Sequence, residues 1–195
     1  KGRQGIFAFS SFSNIYTGNN VSNNKYGINL SGSGGELVYN NYFKNTAGNA
    51  KDDWFNYWNT TKKAGVNIIG GPFIGGNFWH DYNGQDNNGD FIGDTNLPYK
   101  SNGNIVNGGD YLPLTQFTIA TTTSSTSTTT SSTTVTITTT STTSTIPANL
   151  IASCSNDPNQ QGLWKVTQDL SSSGSTCLDI LVNNVVLDCQ GHSII

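Results

Sequence analysis

"GIFAFSSFSNIYTGNNVSNNKY", residues 5–26, runs directly into "GINLSGSGGELVYNNYFKNTAG", residues 27–48. Laid one over the other, the two stretches show a 22-residue period, with Gly5 over Gly27, Ile6 over Ile28, Ile15 over Leu37, Asn19 over Asn41 and Asn23 over Asn45. Each copy reads as two short alternating strands separated by Ser/Gly/Asn turns. A unit this small cannot bury an apolar face alone, so it must stack on copies of itself, and coils of this length build a parallel β-helix. The predicted fold class is all-β: a right-handed parallel β-helix, or solenoid. Ile6, Ile28, Ile15, Leu37, Val21 and Phe43 are expected to point into the coil, and Asn19 and Asn41 to form a side-chain ladder. A β-sandwich with accidental internal similarity is the alternative.

Composition agrees with a turn-dense β protein. Only 11% of residues are charged and 34% apolar, while Asn, Gly, Ser and Thr dominate, which argues against a helical or α/β enzyme. Nine basic against twelve acidic residues leave a net charge of -3, with no Lys/Arg cluster to meet a phosphate backbone. Nucleic acid is not an expected partner. No run approaches the roughly 20 apolar residues of a membrane span, so an extracellular or cell-surface location is expected with any anchor outside this stretch.

Three segments differ in composition. Residues 1–117 are rich in Asn, Gly and aromatics; residues 118–146 form a linker whose run from Thr121 to Thr145 is all Thr and Ser except for Val135 and Ile137; residues 147–195 return to mixed composition and carry all three cysteines. The middle tract reads as an extended linker, either a solvated, O-glycosylated spacer or a strand that docks on a neighbour through Val135 and Ile137, which fall on one face of an extended chain.

The repeats, the stretch "NYWNTTKKAGVNIIGGPFIGGNFWHDYNGQDNNGDFIGDTNLPY" (residues 56–99) and "TQDLSSSGSTCLDILVNNVVLDCQGHSII" (residues 167–195) resemble archaeal secreted proteins with parallel β-helix repeats, of the type labelled NosD-like or carbohydrate-binding and sugar-hydrolase repeats. In that family, sequence like "LDCQGHSII" comes early in a β-helix domain and sequence like "GGNFWHDY…GDTNLPY" ends it. The order here is inverted. The resemblance therefore implies that residues 147–195 begin a solenoid that residues 1–117 finish, forming one bead across successive units, the chain being a tandem-repeat period, a register chosen within a periodic assembly, or a proteolytic fragment.

Groups that carry chemistry are few. No paired carboxylates for acid/base hydrolysis are identifiable, so the expectation is that the protein is not an enzyme. His80 and His192 stand 112 positions apart without a second ligand at metal spacing, so copper and zinc are not expected. In "DNNGDFIGD", Asp86, Asn88, Asp90, Ile92 (through its carbonyl) and Asp94 have the alternate spacing of calcium ligands, although Leu97 stands where a bidentate Glu belongs. Calcium and a plain Asx-type turn both fit that pattern.

Asn20, Asn29 and Asn59 head Asn-x-Ser/Thr triplets and are candidate N-glycosylation sites. In "DDWFNYW", Trp54 and Trp58 are candidate sugar-stacking residues, or the aromatic group packs a solenoid end. Among Cys154, Cys177 and Cys189 an oxidising exterior predicts one disulfide, assigned to Cys154 and Cys177 because Cys189 lies in the apolar strand "VVLDC". The combined expectation is a glycosylated structural subunit of an extracellular filament or surface layer, its partners other copies of itself, head to tail, and covalent glycans. A carbohydrate-binding or carbohydrate-active β-helix protein is the alternative.

Overall fold

The computed structural model describes residues 3–116, 149–172 and 176–195. The Thr/Ser tract, including Val135 and Ile137, lies outside the described residues. Three parallel sheets make up the body. The first contains β1 (Gln4–Phe9), β4 (Tyr26–Ser31), β7 (Gly48–Asp52) and β13 (Leu178–Ile180), ordered β13-β1-β4-β7. The second contains β2 (Ile15–Thr17), β5 (Leu37–Val38), β11 (Asn149–Ile151), β12 (Gly162–Val166) and β14 (Val185–Asp188), ordered β11-β12-β14-β2-β5. The third contains β3 (Asn20–Ser22), β6 (Tyr42–Lys44), β10 (Phe78–Trp79) and β15 (Ser193–Ile194), ordered β10-β6-β3-β15. A small antiparallel pair, β8 (Lys63–Ala64) and β9 (Phe73–Ile74), stands apart.

The chain visits the three sheets in turn and then returns to the first, one strand further along. The register carries the sequence period: Ile6 pairs with Ile28, Ile15 with Leu37 and Val21 with Phe43, each 22 residues apart. Strands of residues 149–195 precede those of residues 4–52 in all three sheets, through β13 on β1, β14 on β2 and β15 on β3. The two outer segments thus share one stack within a single chain, and no second unit is needed to join them.

Ile6, Ile28, Val21 and Phe43 lie fully inside, in a core with Leu30, Val166, Leu178, Ile180, Leu187 and Ile194. Burying each such side chain contributes roughly 1.5–3 kcal/mol. Ile15 and Leu37 were expected inside as well and are not: Tyr16 and Val38 take the inner positions and Ile15 and Leu37 face outward. The preceding corner is filled from within by Asn14 and Glu36, so the next inward positions fall two residues on, at Tyr16 and Val38, and not at Ile15 and Leu37. A one-residue shift in a strand flips every side chain to the other face.

Three columns of buried polar side chains run along the corners. Asn19 Nδ2 donates to Asn41 Oδ1 at 2.6 Å and Asn41 Nδ2 to Asn77 Oδ1 at 2.9 Å, while the backbone N–H groups of Asn19 and Asn41 donate to the same two oxygens. Asp110 ends this column, accepting the Asn77 N–H at 2.7 Å. In a second column, Asn24 N donates to Asn45 Oδ1 and Asn45 N to Asn49 Oδ1. Asn23, the residue that aligns with Asn45 in sequence, is exposed and takes a left-handed φ of 62°, which passes the ladder position to Asn24. In the third, Asn14 N donates to Glu36 Oε2 and Glu36 N to Asn56 Oδ1. Turns leave backbone N–H groups without strand partners, and burial would make each costly, so a side-chain acceptor one layer on is required.

Gly5 and Gly27 are the second residues of β1 and β4, where neighbouring layers press close to the backbone. A Cβ on Gly5 would sit 2.9 Å from the Gly27 carbonyl oxygen and closer still to Val21, and one on Gly27 would run into the Asn49 carbonyl. Beyond the last regular coil, aromatic rings continue the stacking: Tyr42 on Phe78 at 4.7 Å, Phe43 on Trp79 at 4.7 Å, and Trp79 on Tyr99 at 4.5 Å.

Asn41→Ala should lower unfolding stability by about 2–4 kcal/mol, because it strips hydrogen bonds from buried Asn19, Asn77 and Tyr16 and from half-buried Tyr39 at once. Asn29→Ala, on the outer face of β4, should stay within about 0.5 kcal/mol of the parent. Urea titrations of both variants check this; equal midpoints would remove the ladder from the stability argument.

Candidate functional site

The calcium-like segment folds as a turn closed by its own carboxylates. Asp86 Oδ1 accepts the N–H groups of Asn88, Gly89 and Asp90, and Asp86 Oδ2 accepts that of Phe91 at 2.7 Å. Asp90 pairs with Lys62 through Oδ2 and accepts the Ile92 N–H through Oδ1. Asp94 accepts from Asn87 N and Asn88 Nδ2. The expected convergence of Asp86, Asn88, Asp90, Ile92 and Asp94 on one cation is therefore not supported. These oxygens face backbone amides and an ammonium group, and no group of three His, Cys, Asp or Glu side chains suited to a metal ion occurs among the described residues. The Asn and Asp content of the segment is accounted for by turn formation.

Three carboxylates sit inside the protein, and sequence reasoning did not single them out. Glu36 is held by Asn14 N at 2.8 Å, Asn14 Nδ2 and the Ser11 hydroxyl. Asp52 accepts the Trp58 indole N–H at 3.1 Å and the Val106 N–H at 2.7 Å. Asp110 accepts the Trp79 indole N–H at 2.8 Å together with the N–H groups of Asn77 and Leu112. Burial raises the Glu36 carboxyl from 4.5 to about 7, against the bonds from Asn14 and Ser11. Burial likewise raises Asp110 from 3.8 to about 7, against the bonds from Asn77, Leu112 and Trp79. Asp52 is raised for the same reason. Glu36 was detectable in principle, since the 22-residue period sets it beneath Asn14; Asp110, 33 residues beyond Asn77, carries no such signal.

The two tryptophans proposed for sugar stacking separate. Trp58 is buried at 1% exposure and bound to Asp52, so it has no ring face to offer and belongs to the core. Trp54 is 56% exposed and meets Phe12 edge to face at 6.3 Å. Phe55 and Tyr57 form a second exposed edge-to-face pair at 5.1 Å. Beside Tyr57 lies a shallow open depression of about 440 Å3, lined in part by Ile15, Gly35, Leu37, Asn59 and Thr60.

The glycosylation candidates differ too. Asn20 Nδ2 is engaged with Ser193 Oγ at 3.2 Å and Asn59 Nδ2 with the Thr60 carbonyl at 3.3 Å, whereas among the described residues no hydrogen bond holds the Asn29 side chain on the outer face of β4. Cys154 and Cys177 are joined in a disulfide that ties the β11–β12 region to the start of β13, and Cys189 is a buried thiol. His80 Nδ1 contacts Asn49 Nδ2 at 3.1 Å, and His192 Nδ1 lies 3.5 Å from Asp169.

Among known families, the one described as periplasmic copper-binding protein (NosD) matches residues 1–84. The match supports a β-helix-like protein of the periplasm or cell surface, in keeping with the parallel sheets and the disulfide. No curated protein and no solved structure matches the chain. Copper does not fit the residues present. The matched stretch contains no Cys and no Met, its one histidine is His80, and its four carboxylates are taken up: Glu36 and Asp52 by backbone and indole N–H groups, Asp53 by Ser31 and Gly32, and Asp81 by Asn49 and Tyr99. Soft or imidazole donors in convergent sets are what copper sites require. No helix among the described residues is long and apolar enough to cross a membrane.

The raised carboxyls set a pH dependence. Glu36 and Asp110 bind their protons more tightly folded than unfolded, so the stability they confer is present in acid and lost as pH rises from about 4 toward 7. Unfolding free energy at pH 5 should exceed that at pH 8 by more than about 1 kcal/mol, and Glu36→Gln should flatten the slope. Urea midpoints across that range check it; a flat or rising profile would contradict it. A chelator should leave the melting temperature unchanged, while Asp86→Ala lowers it by releasing four turn N–H groups.

Proposed function

We propose that this protein is a structural, non-enzymatic subunit of an extracellular filament or cell-surface layer. On this reading the three sheets are the walls of a right-handed parallel β-helix, copies associate through their ends, and the Thr/Ser tract links one β-helix bead to the next. The observation that carries it is the use made of the buried carboxylates: Glu36 accepts from Asn14 and Ser11 of the preceding layer, Asp52 from Trp58 and Val106, and Asp110 from Asn77, Trp79 and Leu112, so their oxygens are engaged in holding the fold together. A rigid rod of stacked coils, built with little charge, suits a mechanical part of a surface assembly. N-glycosylation, in this reading, falls on Asn29, whose side chain is unengaged on an outer strand face.

A carbohydrate-binding role is the second reading, favoured by the exposed Trp54–Phe12 and Phe55–Tyr57 pairs and by the open depression that Tyr57 lines. Aromatic rings of that exposure can lie against sugar faces. The two readings part in solution.

Electron microscopy of the concentrated full chain should show extended assemblies, and incubation with a panel of plant and microbial glycans should release no new reducing ends. Discrete monomers that bind glycans with Trp54-dependent affinity would favour the second reading. Turnover abolished by a single carboxylate substitution would overturn the non-enzymatic one.

A further inference from the structure

Chain order and stacking order disagree in this fold. Residues 149–195 come after residue 116 in the chain, yet their strands come before β1, β2 and β3 in the sheets. Along the stack, β11 is the first layer, followed by β12, β14, β2 and β5, while in the third sheet Leu114 pairs beyond Phe78, which itself lies one layer past β6. Leu114 therefore sits six layers past β11. At about 4.8 Å per layer that is roughly 29 Å. In the closed form the two ends to be joined, Gln116 and Asn149, therefore stand at opposite ends of the stack.

The forward path is shorter. If a second copy is placed end to end, the next stack begins directly beyond the Leu114 layer, where residues 149–195 of the first copy would form its opening coils. The 32 residues between Gln116 and Asn149 span at most about 105 Å, which accommodates either route.

The junction itself must be filled by something. Asn14 Oδ1 accepts the Val185 N–H at 2.7 Å, and Asn14 Nδ2, Asn19 Nδ2 and Asn24 Nδ2 donate to the carbonyls of Val182, Leu187 and Ile194. Gln4 O accepts the Cys177 N–H, and Arg3 Nη1 donates to the Ser172 carbonyl at 2.7 Å. Without residues 149–195, these groups and the buried side chains of Ile6, Ala8, Tyr16 and Val21 would meet water. The occupant on offer with a matching register is the same segment, from this chain or from another copy.

We propose that residues 149–195 are exchanged between copies, each copy's segment opening the stack of the next, so that the junction of β13, β14 and β15 with β1, β2 and β3 becomes the subunit contact of an open, head-to-tail assembly. This deepens the structural reading and rests on it. Exchange of an identical element preserves every contact of the closed form, and a one-way, head-to-tail exchange leaves an unfilled junction at one end and an unpaired segment at the other, so it propagates unless the ends meet in a ring. The tether keeps each segment near its own stack, so closed chains dominate in dilute solution and exchange prevails once copies approach the millimolar concentration that the tether imposes.

Disulfide trapping in the full chain tests this. Asn20 Nδ2 lies 3.2 Å from Ser193 Oγ across the junction, so Asn20→Cys and Ser193→Cys place two thiols side by side. The chains are unfolded with Cys154–Cys177 intact, refolded at about 1 mM and at about 10 μM, oxidised, and run on non-reducing gels. The double variant should give a ladder of covalent multimers at the higher concentration and mainly closed monomer at the lower. An equimolar mixture of the two single variants should yield a disulfide-linked dimer at the higher concentration that neither single variant gives alone. Phe7→Cys with Asp179→Cys, register partners on β1 and β13, repeats the test at a second place should the first pair disturb folding. Closed monomer at both concentrations, with no dimer from the mixture, overturns exchange. If the parent chain still forms extended assemblies in that case, the structural reading survives on other contacts; if it forms none, both fall.

Discussion

One interaction recurs wherever the chain turns: a side-chain oxygen of one layer accepts the backbone N–H of the equivalent residue in the layer before it. Asn41 does this for Asn19, Asn77 for Asn41, Asn45 for Asn24, and Glu36 for Asn14. Parallel strands are joined by main-chain bonds along their straight parts, but corners have no ladder of their own. A buried corner without such an acceptor would leave amide groups unsatisfied at about 1–3 kcal/mol each. The columns make a three-walled stack affordable to a sequence with only a thin apolar core.

Everything else in the body fits around those columns. Because the amide of each asparagine both accepts and donates, one layer's position dictates the next, and the period of the sequence becomes the pitch of the fold. Where the repeat ends, the column needs a final acceptor for the Asn77 N–H. Asp110 supplies it, bound by Asn77 and the Trp79 indole, and the neighbouring Gly76 leaves room for its carboxylate. Desolvation of such acceptors raises their proton affinity, so the same arrangement that closes the stack makes it more stable in mild acid.

The surface contrasts with this interior. Charged groups are sparse, the acidic loop after Gln85 is occupied by its own turn, and the outward residues that stand out are aromatic: Phe12, Trp54, Phe55 and Tyr57. Residues 1–84 match a family described as copper-binding, while no group of three His, Cys, Asp or Glu side chains suited to a metal ion occurs among the described residues. Fold-level likeness carries the coils, while any site has to be read from its own donors.

The 22-residue period, the all-β class, the parallel stacking of Ile6 on Ile28 and the Asn19–Asn41 ladder were legible in the amino-acid order, because each depends on spacing and residue type alone. The phase of the second strand was not, since Tyr16 and Val38 turn inward only because the corner before them is packed from inside by Asn14 and Glu36. Nor was the fate of Trp58, which a linear reading groups with its exposed neighbours and the fold pairs with Asp52. The segment from Asp86 to Asp94 had the spacing of a cation loop and of a turn alike; the positions of Lys62 and of the loop's own amides, brought near by the chain's path, decide which groups its oxygens meet. Spacing is a property of the chain, whereas partners across 20 or more residues exist only once the layers have stacked.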